Sequence, residues 1–397
     1  MSITLQQRSL IREFIRFDTT SRNSNLDLIH WVANRLDDIG IAPILNYSPD
    51  GKKANLLATV GPNVPGGIVL SGHTDTVPVD GQAWSTNPFD ATEKDGKLYG
   101  RGTVDMKSFD ALALAEFETV AREYAHFINA LKRPLHLLLT YDEEVGCVGA
   151  QRFVDTQKDT IIDPSLILVG EPTNLQAVIA NKGIRCFNSH AKGKSCHSSR
   201  PDDGVNAIRV NAKLLGYVYR IGEKLKAAGV QDIRFDPPYS TVNVGTIRGG
   251  SAINIVADEC VFSFETRPVP GDNGDQLVVQ YKAAQEKVLK CLQSAAGNAD
   301  LRLEEYVSVP AFAGDEGHEG SQFLLSQLDN RETAVAPFCT EAGVFQKAGW
   351  NTVVCGPGSI AQAHQPDEFI EIDQLDHGLT LIRKVVNHCF TPVPAVA

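Results

Sequence analysis

Apolar positions in the first third of the chain change period twice. Leu5, Leu10, Ile11, Phe14 and Ile15 recur at helical spacing, and a second such run over 25–39 stops at Gly40. The pattern predicts two amphipathic helices, near 4–17 and 25–39, with the glycine just past the second helix end. Short apolar runs then alternate with turn residues: "APILNY", "ANLLATV" and "GIVLSG" predict strands. Met106, Phe109, Leu112, Leu114, Phe117 and Val120 mark a helix over 105–123. "LHLLLTY" (135–141) and "SLILVG" (165–170) are continuous apolar strands flanking a further short helix. Strands without alternation, set between helices, imply a sheet covered on both faces.

The texture changes after about Asn181. "IRCFNSHA", "STVNVGTI" and "CVFSFETR" alternate: Cys260, Phe262 and Phe264 face one way, Ser263, Glu265 and Arg267 the other. Long helices are expected near 204–226 and 275–294. From about 300 the first texture returns, with strands "LRLEEYVSV" and "NTVVCGPG" and a last helix over 373–390. The expected fold is α/β. A discontinuous domain with its sheet between helices (1–181 and 296–397) is interrupted by a smaller α+β domain (182–295). The tail "TPVPAVA" reads as a loose end.

Composition adds constraints. At 397 residues, 43% hydrophobic and 21% charged, the chain is an ordinary globular one with room for two domains. A net charge of -11 argues against nucleic acid or an anionic membrane as partner. No apolar run reaches membrane-spanning length, and the amphipathic start is unlike a secretory signal. The eight cysteines form no C-x-x-C pair, which suits a reduced, cytoplasmic protein and argues against a thiolate metal site.

The candidate chemistry lies where strands end. His73 follows "GGIVLSG", Asp105 opens the helix after "LYGRGTV", Glu143 and Glu144 follow "LHLLLTYD", Glu171 follows "SLILVG", and His364 lies in the loop after "TVVCGPG". Ligand sites of open α/β sheets lie at the carboxyl ends of strands. Taken singly, each has a plain structural reading: a turn, a helix cap, a solvated strand end. Two histidines and several carboxylates without thiolates suit zinc, with cobalt or manganese as substitutes. The carboxylates exceed the needs of one tetrahedral ion, whereas two ions about 3.5–4 Å apart, bridged by Asp105, would use them all. On an extended segment Asp75 shares a side with His73 and can accept from its far ring nitrogen. Glu144 is assigned as ligand and Glu143 as general base. No G-x-S-x-G elbow supports a serine hydrolase.

In "SGHTDTVP", "YGRGTVDMK", "YDEEVG", "VGEPT", "CHSSRPDDGVNAI", "FETRPVPGD" and "GPGSIAQAHQPDEFI" the chain resembles the two-metal amidohydrolases and metallopeptidases. That family includes acetylornithine deacetylase, succinyl-diaminopimelate desuccinylase and carboxypeptidase G. The resemblance implies one cation held by His73, Asp105 and Glu171, and another by Asp105, Glu144 and His364. Asp75 would support His73, and Glu143 would be the base. It also implies an inserted lid that pairs two subunits, with His197 reaching the active site of its own or the neighbouring subunit. The implied reaction is hydrolysis of N2-acetyl-L-ornithine to L-ornithine and acetate; "FCTEA" and "GPGSIAQAHQPDEF" are most similar to sequences with that activity. A desuccinylase or other N-acyl-amino-acid amidohydrolase, or an inactive binding homologue, is the alternative. Arg267 suits a substrate carboxylate through its two-pronged guanidinium. Asn254 is a polar partner or a turn residue. Glu341 meets the ornithine ammonium or merely opens a helix. Gly358, in "GPGS", offers a close-approach backbone to the substrate.

Overall fold

The computed structural model describes residues 2–126, 130–296 and 299–391; the tail read above as a loose end lies outside them, except Thr391. The chain forms two compact units. The first comprises residues 1–179, 313–334 and 340–397, and the second comprises 180–312 and 335–339.

The first unit is built on a mixed sheet. Its leading strands run in the order Ile44–Tyr47, Ala54–Val60, Leu135–Thr140, Ile68–His73, Leu166–Pro172, Thr352–Gly356. The last four are mutually parallel. All four are buried along their whole length, which explains their unbroken apolar runs. Leu70, Leu137, Leu139 and Leu168 pack with Leu112, Phe117 and Leu379 in one continuous core. The helix Leu5–Arg16 is stopped at its start by a capping box, Gln7 N donating to Thr4 Oγ1 at 3.3 Å and Thr4 N to Gln7 Oε1 at 2.8 Å.

Connectivity positions the site. From Ile68–His73 the chain crosses to Leu135–Thr140 on one side, then to Leu166–Pro172 on the other. The strand order therefore reverses at the end of Ile68–His73, the place where open α/β sheets gather ligands. A small antiparallel sheet, Phe369–Glu371 on Lys97–Tyr99 on Thr92–Lys94, ties the segment after His364 to the segment before Asp105.

The second unit is a four-stranded antiparallel sheet in the order Thr241–Gly249, Glu259–Arg267, Ile184–Lys192, Asp300–Val309. Phe187, Phe262 and Phe264 pack against Leu214, Val218 and Tyr281 of the helices Ala207–Ala228 and Asp275–Ala296. One boundary expectation is corrected here. "LRLEEYVSV" was assigned to the first domain, but Asp300–Val309 pairs with Ile184–Lys192 in the smaller sheet. Its Leu301 and Leu303 pack on the phenylalanine core, so the strand is half-exposed like its neighbours. The second unit thus runs to Phe312 rather than 295.

Candidate active site

The strand ends do converge in the first unit. His73, 1% exposed, ends its strand with Nε2 3.0 Å from Asp105 Oδ1 and 3.6 Å from Glu171 Oε1. His364 Nε2 lies 3.2 Å from Asp105 Oδ2 and 3.2 Å from Glu144 Oε1 and Oε2. Asp105 therefore presents one oxygen to each imidazole, as a bridging carboxylate does. Single donor atoms of His73, Glu143 and Glu171 lie within 4.8 Å of one another, and so do those of His73, Asp105 and Glu144. The neighbours Glu143 and Glu144 thus fall in different groups, both of which include His73.

Electrostatics sharpen the picture. Burial alone would depress His73, but the hydrogen bond to Asp105 and the Glu171 charge outweigh it and hold the imidazolium well above its ordinary value. Hydrogen bonds to Asp105, then to Glu144, push His364 up to about 10. Burial, then the Asp105 charge, raises both Glu171 and Glu144. The carboxylates around the two imidazoles thus favour positive charge at this place. Two neutral imidazole nitrogens and three carboxylates, all oxygen and nitrogen donors, form a set that fits two divalent cations.

Asp75 acts differently from expectation. His73 Nδ1 bonds to the backbone carbonyl of Asp75 at 2.9 Å, whereas the Asp75 carboxylate is 3.6 Å away. That carboxylate instead accepts the N–H of Glu143 at 3.0 Å, the N–H of Glu144 at 3.3 Å and the Ser21 hydroxyl at 2.8 Å. Residues 142–144 are not extended; Asp142 has φ +56 and begins a turn. The Asp75 carboxylate holds that turn, so main chain orients the imidazole and side chain orients the two glutamates.

The remaining candidates divide between the two units. His197, Asn254 and Arg267 belong to the second unit. His197 is exposed, its Nδ1 2.8 Å from Ser199 Oγ, and its segment bridges to Ile255 with Ser198 N donating to the Asn254 carbonyl at 3.0 Å. His197 and Asn254 are thereby brought onto adjoining segments. Arg267 is half-buried and already paired to Glu265 two residues away, Nη2 to Oε2 at 3.1 Å. Glu341, in the first unit, precedes the short helix Ala342–Lys347, accepts from Thr140 Oγ1 at 2.5 Å and keeps Oε2 unpartnered. Burial pushes its carboxyl up to about 7. Gly358 is corrected. Its N–H is donated to Gln374 Oε1 at 3.1 Å, and a Cβ there would meet Val104 at 2.5 Å. Its close approach is internal packing, not an amide offered to a ligand.

Sequence reading missed Glu368, which is 1% exposed and accepts the backbone N–H of Asp105. The available signal was an acid four residues after His364 and an arginine four residues before Asp105.

Comparison with known proteins shows the family and the fold. A family described as Peptidase family M20/M25/M40 matches residues 69–388. The acetylornithine deacetylases of Buchnera aphidicola subsp. Acyrthosiphon pisum, strains Tuc7 and 5A, are each 34% identical over 383 residues, covering 95% of this chain and 96% of theirs. The M20 family metallo-carboxypeptidase Sso-CP2 of Sulfolobus solfataricus shares the fold at a TM-score of 0.77 and 17% identity, over 98% of this chain and 100% of that one. The Bacillus subtilis YXEP protein, described as a dinuclear metal binding peptidase, does so at 0.66 and 13%, over 96% of each. With a family match over residues 69–388 and relatives alike over nearly their full length, the chain belongs to the M20/M25/M40 peptidase family.

Proposed function

We propose that this hydrolase cleaves the amide bond of an N-acylated amino acid with two divalent cations, zinc in the first place and cobalt as an active substitute. N2-acetyl-L-ornithine is the proposed substrate, with L-ornithine and acetate as products and arginine biosynthesis as the setting. The observation that carries the reading is Asp105, whose two oxygens face His73 and His364 separately. The deacetylase name borne by relatives at 34% identity supports the acetyl-ornithine choice.

His73, Asp105 and Glu171 would hold one cation, and Asp105, Glu144 and His364 the other. Such cations, when bound, polarise an acyl oxygen and lower the pKa of water towards about 7. Glu143 is the base: its carboxylate takes a proton from the attacking water and returns it to the leaving nitrogen. Water oxygen joins the acyl carbon, the C–N bond breaks, and the amine leaves protonated. The Asp75 carboxylate fixes the backbone of Glu143, so the base is aimed before substrate arrives.

His197 would donate to the developing oxyanion, a contribution of about 3–4 kcal/mol for a well-placed donor. It would come from the same subunit or from the second subunit of a homodimer formed through the smaller domain. Arg267 would exchange Glu265 for the substrate carboxylate, with Asn254 as a polar neighbour. Glu341 would meet the ornithine ammonium through its buried, unpartnered Oε2. A cytoplasmic location is part of this proposal and suits a chain with no disulfide among the described residues. Among the described residues no helix is long and apolar enough to cross a membrane.

The test is a competition assay on protein stripped of metal and reconstituted with zinc. N2-acetyl-L-ornithine should have the highest kcat/KM among acetylated amino acids and N-succinyl-diaminopimelate. Faster turnover of the succinyl substrate overturns the specificity, and full activity without added metal overturns the mechanism.

A further inference from the structure

We propose that Glu368, Arg101 and Gln82 form a positioning clamp that fixes Asp105 relative to His364, and so sets how tightly the cation between those two residues is held. The inference rests on the two-cation reading above. Asp105 and His364 both lie outside regular strands, and His364 has φ +63. Something other than the sheet must therefore hold them in register.

Glu368 Oε1 accepts two backbone N–H groups, from Val104 at 2.9 Å and from Asp105 at 3.2 Å. Its Oε2 is ion-paired with Arg101 Nη1, and both side chains are no more than 1% exposed. Arg101 Nη2 donates to Gln82 Oε1 at 2.8 Å, and Gln82 Nε2 donates to the His364 carbonyl at 3.0 Å. The route closes on itself, because Glu368 follows His364 by four residues in the chain. Trp84 braces it, donating Nε1 to Gln82 Oε1 at 3.0 Å and turning its ring towards the guanidinium, 5.2 Å away.

A buried ion pair often yields no net stability over apolar packing of the same volume. What it gives here is direction. One end of the pair grips the amide of the residue whose carboxylate faces both imidazoles. The other end reaches, through one glutamine, the main chain of the outer imidazole. The arrangement constrains two backbones from outside the ligand set, as partners beyond the coordinating atoms commonly do.

The experiment uses Co2+ alone as probe, on the full chain, with Gln82→Ala and Glu368→Gln. Three readouts are taken: affinity by competition with a chromogenic chelator, the visible Co2+ spectrum, and thermal unfolding in excess chelator. Gln82→Ala should weaken the weaker-held Co2+ about 10-fold, and Glu368→Gln about 10- to 100-fold, each with a changed visible spectrum. The tighter Co2+ should change less than about threefold. The chelated Gln82→Ala protein should melt within about 2 °C of wild type. Wild-type affinities and spectra in both variants overturn the clamp. Equal weakening of both cations together with a lower chelated Tm also overturns it, since that is general structural support. If Glu368→Gln does not fold, Gln82→Ala alone decides by the same criteria. A wild-type protein that binds no Co2+ sinks the two-cation reading instead, which separates the two failures.

Discussion

The two flanks of Asp105 are built by opposite means. On one, His73 ends a fully buried strand, its ring fixed by the Asp75 carbonyl, with Glu171 on the neighbouring parallel strand. On the other, His364 has a side chain 51% exposed and stands on a left-handed residue in a loop. The deep flank takes its geometry from the sheet ladder, whereas the outer flank takes it from side-chain bonds to a loop. The first should be rigid and slow to exchange; the second should be adjustable and open to solvent.

The largest effect should come from the group that the deep flank aims. Glu143→Ala should lower kcat about 10²- to 10⁴-fold while metal content, read by elemental analysis, stays at the wild-type level. An unchanged rate would remove Glu143 as the base. The flanks themselves separate next. His364→Ala should leave the tighter cation in place and halve the bound metal, because His73, Asp105 and Glu171 survive. His73→Ala should lose that tighter cation and also lower Tm in chelator, because it leaves Glu171 and Asp105 facing an empty, buried space. Identical metal loss in the two variants, by calorimetric titration, contradicts the asymmetry.

A smaller contrast lies in the sheet beneath. His136, in the strand beside Ile68–His73, is buried and its pKa is pushed down to about 4 by desolvation. The unfolded chain binds this proton near 6.5 and the folded one near 4, so stability is full above 6.5 and falls as pH drops between them. The loss should be about 2 kcal/mol between pH 6.5 and 5. His136→Asn should flatten that slope in urea unfolding measured with chelator present; a slope equal to wild type assigns the loss to other groups. The smallest effect is expected at Ser21, whose hydroxyl bonds Asp75 Oδ2. Ser21→Ala should cost about 0.5–1.5 kcal/mol and only a few-fold in kcat, since two backbone amides still hold Asp75.

What was legible in the sequence follows the same division. An apolar run that stops abruptly at a histidine or an acid is visible in one dimension, so His73, the Glu143–Glu144 pair and Glu171 could be placed from spacing and strand-end logic. The alternation of Cys260, Phe262 and Phe264 likewise foretold the face that meets the helices of the second unit. Contacts that join distant segments by main chain were not legible. Asp75 read as a partner of the imidazole because i and i+2 share a side on a strand, but a turn beginning at Asp142 presents two amides to it instead. Glu368 escaped the sequence reading because its partners, Arg101 and the Asp105 amide, lie more than 260 residues away. Asp300–Val309 went to the wrong unit because a strand's own pattern does not say which sheet it joins.

One feature of the first unit bears on how the polypeptide comes into being. The unit is assembled from three separate stretches, and His364 arrives only with the last of them. During synthesis, a chain that has emerged through Glu171 holds the acids of the candidate site and only one of its two imidazoles, His73, and lacks the strand Thr352–Gly356 that later lies alongside. Loop closure over such separations is entropically costly and slow. On the proposed two-cation reading, a product truncated before His364 should carry the acids without the second imidazole and should not hydrolyse substrate.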